Sequence, residues 1–157
     1  MTSYGLEELW VTAGLRDTSR YIPVHTLVIQ LGVTLCQVLP AVHTLTGCDY
    51  TSKFRTKAAA LKANPKMYLK DFGTMESDIE NQVTLAEHYL LQVRKKGSFC
   101  RTSDELKNYF YHHVKSPDLP PTSQETRLHI LRAFFATNQK KSCIYEGFDW
   151  CLGYSLF

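Results

Sequence analysis

The feature that most limits the possible folds is a long segment without charged side chains. No Lys, Arg, Asp or Glu occurs from Tyr21 to Cys48, a run of 28 residues. The run is long enough to cross a bilayer, but it contains two His, two Gln, four Thr and two prolines. These residues favour the core of a soluble domain over a membrane span. We therefore expect residues 21–46 to be among the most buried of the chain, and we expect no membrane contact.

Glycines divide this run into helical segments. Gly32 is a typical residue just past a helix end, and it predicts a short helix from Val24 to Leu31. The next segment, Val33 to Thr46, predicts one helix or two, because an internal proline either kinks a helix or opens a second one. Gly47 ends this segment. Asp49 is then expected just beyond a helix C-terminus, where an acid can face solvent, a metal or a substrate.

The flanking segments complete a mainly α-helical prediction. Two short runs rich in β-favouring residues, Trp10-Val11-Thr12 and Arg20 to Pro23, predict a β-hairpin. Three capping-box patterns in the second half, beginning at Ser77, Thr102 and Thr122, predict helix starts. We expect a short N-terminal β-hairpin followed by about six helices. The predicted organisation is a domain of residues 1–137, with a hairpin at 8–23, helices at 24–73 and at 77–137, and an aromatic tail at 138–157.

The charges beyond the uncharged run are all of one sign for some distance. Asp49 is the only carboxylate between Asp17 and Asp71, and six of the 18 basic residues lie between residues 53 and 70. Asp49 has two interpretations: an N-cap of the next helix, or a metal ligand beside a phosphate-binding surface. The candidate phosphate-binding residues are Lys53, Arg55, Lys57 and Lys62. Because Ala, Lys and Leu favour helix, we expect a helix from Phe54 to Ala63, on which Arg55 and Lys62 would share one face. A solvated helix face is the default interpretation of any such charge run.

Other polar residues near Asp49 have alternative roles. His43 is a candidate ligand or base, or a hydrogen-bonded core histidine. Cys48 is a reactive thiol or a structural cysteine, and Tyr50 stacks on a base or packs in the fold. The five cysteines form no CxxC pair, which argues against a disulfide framework or a zinc site and favours an intracellular location. Glu7 and Glu8 argue against a signal peptide at the N-terminus.

Residues 39–54, LPAVHTLTGCDYTSKF, resemble the block LPxxHAxTGCDxTSxF of a family of mobile-element-associated proteins in invertebrate genomes. Residues 9–25 resemble the LWV…RYIPVH segment of that family, and residues 119–133 resemble its LPPT…HxxRA segment. More distantly, Gly47 to Tyr50 resemble the Gly-[Cys/Ser]-Asp-Tyr block of flap-endonuclease-like nucleases, which have a PIN-type fold. The resemblance covers roughly residues 8 to 135.

The resemblance implies that the chain is the C-terminal part of a PIN-like nuclease domain. Asp49 would then be the remaining catalytic and metal-binding carboxylate of a site for Mg²⁺ or Mn²⁺, followed by a helix-turn-helix that tracks a phosphate backbone. This chain lacks the glycine-rich turn of that element. It also lacks the acidic blocks EADT and DTDV of its relatives, and one carboxylate cannot hold the ions.

We therefore expect a truncated nuclease-like domain that does not cleave as an isolated chain. It would bind the backbone of DNA or RNA through the basic residues after Asp49, and the missing N-terminal half of the domain would be a further partner. The alternative is a non-enzymatic helical module that binds a protein partner.

Overall fold

The structure is a computed structural model, and it describes residues 7–14, 18–115 and 117–146. A two-stranded antiparallel hairpin precedes seven α-helices. The prediction of a mainly α-helical chain with an N-terminal β-hairpin is therefore confirmed. The elements are β1 (Trp10–Ala13), β2 (Arg20–Pro23), α1 (Val24–Leu31), α2 (Val33–Thr46), α3 (Lys57–Lys62), α4 (Pro65–Tyr68), α5 (Ile79–Arg94), α6 (Ser103–Tyr109) with a π-helical turn (Phe110–Val114), and α7 (Ser123–Glu146).

The chain divides into two compact units, residues 1–37 and residues 38–157. In the first unit β1 pairs with β2 from Trp10 opposite Pro23 to Ala13 opposite Arg20. The start of α1 is attached to this hairpin by His25. Its Nδ1 lies 3.2 Å from both the amide nitrogen and the carbonyl oxygen of Leu9, and its ring meets that of Trp10 edge-on at 5.4 Å.

The expected burial of residues 21–46 is correct only for its second half. None of the residues from 21 to 37 is buried, and Ile29, Tyr21 and Val33 are 81%, 72% and 65% exposed. Two four-residue strands and an eight-residue helix have too little surface to enclose one another's apolar side chains. Burial begins at Val38, in the second unit.

The break between α1 and α2 lies at Gly32, where the sequence predicted the end of a helix. Gly32 has φ +78°, and its N–H donates to the carbonyl of Val28 at 2.9 Å. Helix α2 is one continuous helix that includes Pro40. No single helix among the described residues is long and apolar enough to cross a membrane. Only α1 and α2 taken together satisfy length and composition, and they are two separate helices with a break between them.

Helix α5 forms the centre of the second unit and contacts α3, α4, α6 and α7. Tyr89 of α5 is fully buried, and its hydroxyl donates to the carbonyl of Ala60 at 3.1 Å. This burial raises the pKa of Tyr89 above its ordinary value of 10. The apolar side chains buried in this unit include Val42, Leu45, Leu69, Phe72, Leu90, Leu106, Ile130 and Phe134.

The predicted helix starts of the second half are present, with one shifted by a residue. Helix α7 begins with a reciprocal capping box: Thr122 Oγ1 accepts from the N–H of Glu125, and Glu125 Oε2 accepts from the N–H of Thr122. Thr102 caps α6. Asp78, rather than Ser77, caps α5. An aspartate accepts a charge-assisted hydrogen bond, which gives it the advantage at a helix N-terminus.

Helix α7 continues past residue 137, where the aromatic tail was predicted to begin, and reaches Glu146; residues 147–157 lie outside the described part of the chain. Its last turns hold the segment before α5. Asn138 Nδ2 donates to the carbonyl of Gly73 at 2.9 Å, and Lys141 Nζ donates to that of Phe72 at 2.8 Å. A Cβ on Gly73 would lie 2.7 Å from Cγ2 of Thr137, so this close approach requires glycine.

The buried hydroxyl of Tyr89 predicts a loss of stability in alkaline solution. Its pKa is raised in the folded chain, so the unfolded chain releases this proton at lower pH. Stability is therefore intact below pH 10 and declines as the pH rises further. Urea denaturation at pH 8 and pH 10.5 measures this decline, and we expect it to be smaller in Tyr89→Phe. Tyr111→Phe, at a side chain 66% exposed, is the control and should decline like the parent.

Candidate functional site

The candidate site begins where α2 ends, at a glycine that no other residue can replace without strain. Gly47 has φ +120°, in a region that side chains other than that of glycine rarely adopt. A Cβ on Gly47 would lie 2.7 Å from the Cα of Lys53. The chain therefore folds back on itself here, and the backbone of Lys53 is held against the end of the helix.

Residues 48–51 form a tight turn that presents Asp49 to solvent. Cys48 and Thr51 exchange two backbone hydrogen bonds, of 3.2 and 3.1 Å, and Asp49 and Tyr50 occupy the exposed tip between them. Asp49 thus lies just past the C-terminus of α2, as expected. It is not the N-cap of the next helix, because Thr56 takes that role: its Oγ1 accepts from the N–H of Ala59. The interpretation of Asp49 as a cap is therefore wrong.

The last three carbonyls of α2 each receive a hydrogen bond from outside the helix. Thr51 Oγ1 donates to the carbonyl of Thr44 at 2.5 Å, and the N–H of Phe54 donates to that of Thr46 at 3.1 Å. His129 Nε2 lies 2.9 Å from the carbonyl oxygen of Leu45. A carbonyl only accepts, so Nε2 carries the proton in this contact. The carbonyls that a helix end leaves free are thus used to anchor the loop and α7.

Helix α7 is joined to the same end of α2 by a buried pair of hydroxyls. The Oγ1 atoms of Thr44 and Thr137 lie 2.6 Å apart, and both residues are fully buried. Nearer the start of α7, the ring of His129 lies 5.7 Å from the ring of Phe54. The loop from Gly47 to Thr56 is therefore fixed on both sides, by α2 and by α7.

Three of the four candidate phosphate-binding residues line one concavity on this loop. Lys53, Arg55 and Lys57 border a cavity of about 430 Å³ with Thr46, Gly47, Cys48, Thr51 and Thr56. We call this the cation cavity. Its three basic side chains are exposed. The described residues form two ion pairs, Arg94–Asp118 and Arg127–Glu80, and neither involves this cavity.

The fourth candidate, Lys62, does not line the cation cavity. The helix that follows Asp49 begins at Lys57, whereas the sequence predicted Phe54 to Ala63. Phe54 is drawn back to the end of α2 and Thr56 caps α3, so the residues between them form a loop. Arg55 and Lys62 therefore do not share a helix face. Lys62 lies in the last turn of α3, where a cation also has a favourable helix-dipole interaction.

Helix α7 brings a further cation to this end of the unit. The pKa of the half-buried His43 is lowered, first by burial and then by the positive charges of Lys140 and Lys57, while Asp49 opposes the shift. The charges of these groups therefore act on the same imidazole. Since the lowered pKa keeps His43 neutral near pH 7, the positive charge of the surroundings comes from lysine and arginine.

The described residues do not fit a resident divalent metal ion. A site for Mg²⁺ or Mn²⁺ needs several oxygen ligands fixed in one place. Asp49 is a single carboxylate on an exposed turn. Across the described part of the chain, no group of three or more His, Cys, Asp or Glu side chains lies close enough together to share an ion.

The comparisons with known proteins do not assign this chain to a family. It matches no protein-family model, no curated protein and no solved structure. The relation to flap-endonuclease-like proteins therefore stays a prediction, based on the residues quoted above.

Sequence reasoning missed the residues that hold the site in place. Thr51, His129 and Thr137 carry the hydrogen bonds that fix the loop, and Lys140 adds charge. The contacts of His129 and Thr137 span 84 and 93 residues. No local pattern indicates such a contact, because a threonine or histidine on an apolar helix face has the same spacing with or without a distant partner.

The hydroxyl of Thr51 should be worth a measurable part of the stability. Thr51→Val keeps the shape of the side chain but removes the donor to the carbonyl of Thr44. An unpaired buried carbonyl costs about 1–3 kcal/mol, and urea denaturation should show a loss of that size. Thr84→Val removes a comparable hydroxyl from an exposed helix position, and it should change stability by less than about 0.5 kcal/mol. Equal effects of both substitutions would contradict the role given to Thr51.

Proposed function

We propose that this chain binds the phosphate backbone of nucleic acid, without sequence preference, through the cation cavity. The observation that carries the proposal is the convergence of Lys53, Arg55 and Lys57 on one cavity in a fixed loop, with no ion pair to a carboxylate within the described residues. Free cations at fixed positions attract phosphates and release their counterions, which gives binding its free energy.

The position of Lys57 supports a role beyond solubility. It is the first residue of α3, a helix with no acidic residue in its first turn. A positive charge at a helix N-terminus is unfavourable by about 0.3–1 kcal/mol. The fold therefore gains no stability from the positive charge of Lys57. An anionic ligand in the cavity, in contrast, would be attracted by that charge.

Rigidity also supports the proposal. The backbone of Lys53 lies against Gly47, Phe54 donates to the carbonyl of Thr46, and Thr56 caps α3. A loop that is already ordered loses little conformational entropy when a ligand binds. Nothing in the cavity reads the edges of paired bases in a groove, so we expect duplexes to be bound without regard to sequence.

The resemblance to flap-endonuclease-like proteins gives this proposal a context. On that view the chain is the C-terminal part of a PIN-like nuclease domain that keeps a phosphate-binding surface and one carboxylate, Asp49. The described residues hold no group of three or more His, Cys, Asp or Glu side chains that could share a metal ion with it. We therefore propose binding without cleavage by this chain alone.

A second candidate function, a helical module that binds a protein, is favoured by the first unit. Tyr21, Ile29 and Val33 expose large apolar side chains there. The two-stranded sheet has no further strand paired to either edge among the described residues, and unpaired edges favour strand addition. The N-terminal half of a PIN-like domain, which the resemblance implies, would be such a partner. Its apolar interface would depend little on salt, unlike phosphate binding.

Salt titration of duplex DNA binding tests the cation cavity. Three phosphate contacts predict a slope of log affinity against log salt of about −3, and a dissociation constant on the order of 10⁻⁴ to 10⁻⁶ M at physiological salt. Changing Lys53, Arg55 and Lys57 together to Gln should abolish most of the affinity and flatten the slope, as measured by fluorescence anisotropy. Lys62→Gln alone should have little effect.

A charge-matched control distinguishes the cavity from diffuse attraction. Changing Lys96, Arg101 and Lys115 to Gln removes the same charge from exposed positions, none of which lines the cavity. This variant should bind nearly as well as the parent. If both triple variants lose the same affinity, binding depends on net charge and the cation cavity is not a site.

Cleavage assays test the absence of a complete metal site. The chain with Mg²⁺ or Mn²⁺ should not cut flap or single-stranded DNA above background, because one carboxylate cannot position two ions and a water. Gel analysis of labelled substrates measures this. Metal-dependent cutting that disappears in Asp49→Ala would show that this chain completes a catalytic site and would overturn the expectation.

A further inference from the structure

A second concavity also borders the Cys48–Thr51 turn. It has a volume of about 260 Å³ and is lined by Tyr50 from the turn and by one face of α7, namely Arg132, Phe135, Ala136 and Gln139. We call it the aromatic cavity. The turn connects it to the cation cavity, because Cys48 and Thr51 line that cavity while Tyr50 lines this one.

The aromatic cavity exposes two large rings on a rigid support. Tyr50 and Phe135 are each 54% exposed, whereas Ala136, which also lines the cavity, is 4% exposed. Phe135 follows the fully buried Phe134, whose ring meets it edge-on at 5.6 Å. Neither exposed ring is buried in the core. Tyr50 belongs to the anchored Cys48–Thr51 turn, and Phe135 belongs to α7, which packs into the core. Half-exposed rings beside an arginine form a surface on which a flat ligand can stack.

We propose that the aromatic cavity takes an unpaired base of single-stranded nucleic acid while the adjacent phosphates lie in the cation cavity. This inference rests on the proposed function. A base presents its face for stacking only when it has left a duplex, so the chain would prefer single strands over duplex. Tyr50 and Phe135 supply the stacking faces, and Arg132 supplies a guanidinium plane. The amide of Gln139 is the polar group available to a base edge.

Charge favours this occupant over an apolar protein segment. Arg132 borders the aromatic cavity itself, and Lys53, Arg55 and Lys57 border the cation cavity. Asp49 is the single acid of the turn whose residues line both cavities. A strand with a flat apolar base and a charged backbone matches both cavities at once.

The experiment compares the same backbone with and without bases. Fluorescein-labelled oligothymidylate, an abasic oligomer of equal length, and a duplex are titrated with the full chain. The parent should bind oligothymidylate about tenfold more tightly than the abasic strand, the gain expected for one stacked base, and more tightly than duplex. The Tyr50→Ala, Phe135→Ala double variant should lose that factor on oligothymidylate and bind the abasic strand like the parent.

Two control variants and one optical signal make the result specific. Tyr50→Phe keeps a stacking ring and should keep the affinity. Phe99→Ala removes an aromatic side chain that is 99% exposed and lines neither cavity, and it should change nothing. An oligomer that carries 2-aminopurine should lose fluorescence when it binds the parent, because stacking quenches that base, but not when it binds the double variant.

The outcomes separate this inference from the proposed function. If the double variant binds oligothymidylate like the parent while the Lys53, Arg55, Lys57 variant does not, base stacking is wrong and phosphate binding stands. If the parent binds none of the three probes, both proposals are wrong. If the double variant binds oligothymidylate like the parent but no longer self-associates, the aromatic cavity is a contact between copies of the chain and the inference fails.

Discussion

The second unit depends on how the free carbonyls of α2 are satisfied. A helix that ends inside a protein leaves carbonyl groups without donors, and each costs free energy if it stays unpaired. Here the donors are a threonine hydroxyl from the turn, a backbone N–H from the loop, and an imidazole from α7. Two donors belong to the loop and one belongs to α7, so satisfying one helix end brings the loop and α7 together on α2. The position of every basic side chain around the loop follows from this arrangement.

This anchoring explains how cations are displayed without an ion pair to any of the described carboxylates. Lys53, Arg55 and Lys57 follow one another at alternate positions in a segment with a fixed backbone, so their side chains leave the loop within a short distance. The energy that orders the loop comes from buried hydrogen bonds and from Phe54 against His129. The charges contribute nothing to that order. They remain available to an anion, and their repulsion is the cost of keeping them together.

The sequence predicted features governed by local chemistry and missed those governed by distant contacts. The bounds of α1 and the end of α2 follow from Gly32 and Gly47, whose backbone conformations favour glycine. The capping box at Thr122 marks the start of α7. The start of α3 was predicted at Phe54 because alanine, lysine and leucine favour helix. Tertiary contacts override that preference by drawing Phe54 to α2. Burial of residues 21–37 was expected from their hydrophobicity, but burial also needs neighbours, and composition does not reveal them.

The pairing of Thr44 with Thr137 has a consequence for how the site comes into being. The two hydroxyls are 93 residues apart in the chain, so a loop of that length must close before they meet, and contacts between distant segments form slowly. During synthesis the turn at Asp49 leaves the ribosome long before α7 does. Until α7 has been synthesised, the carbonyl of Leu45 lacks the hydrogen bond from the imidazole of His129. The loop also lacks its contact with α7. The local sequence specifies the loop, but its final shape is a late product of folding.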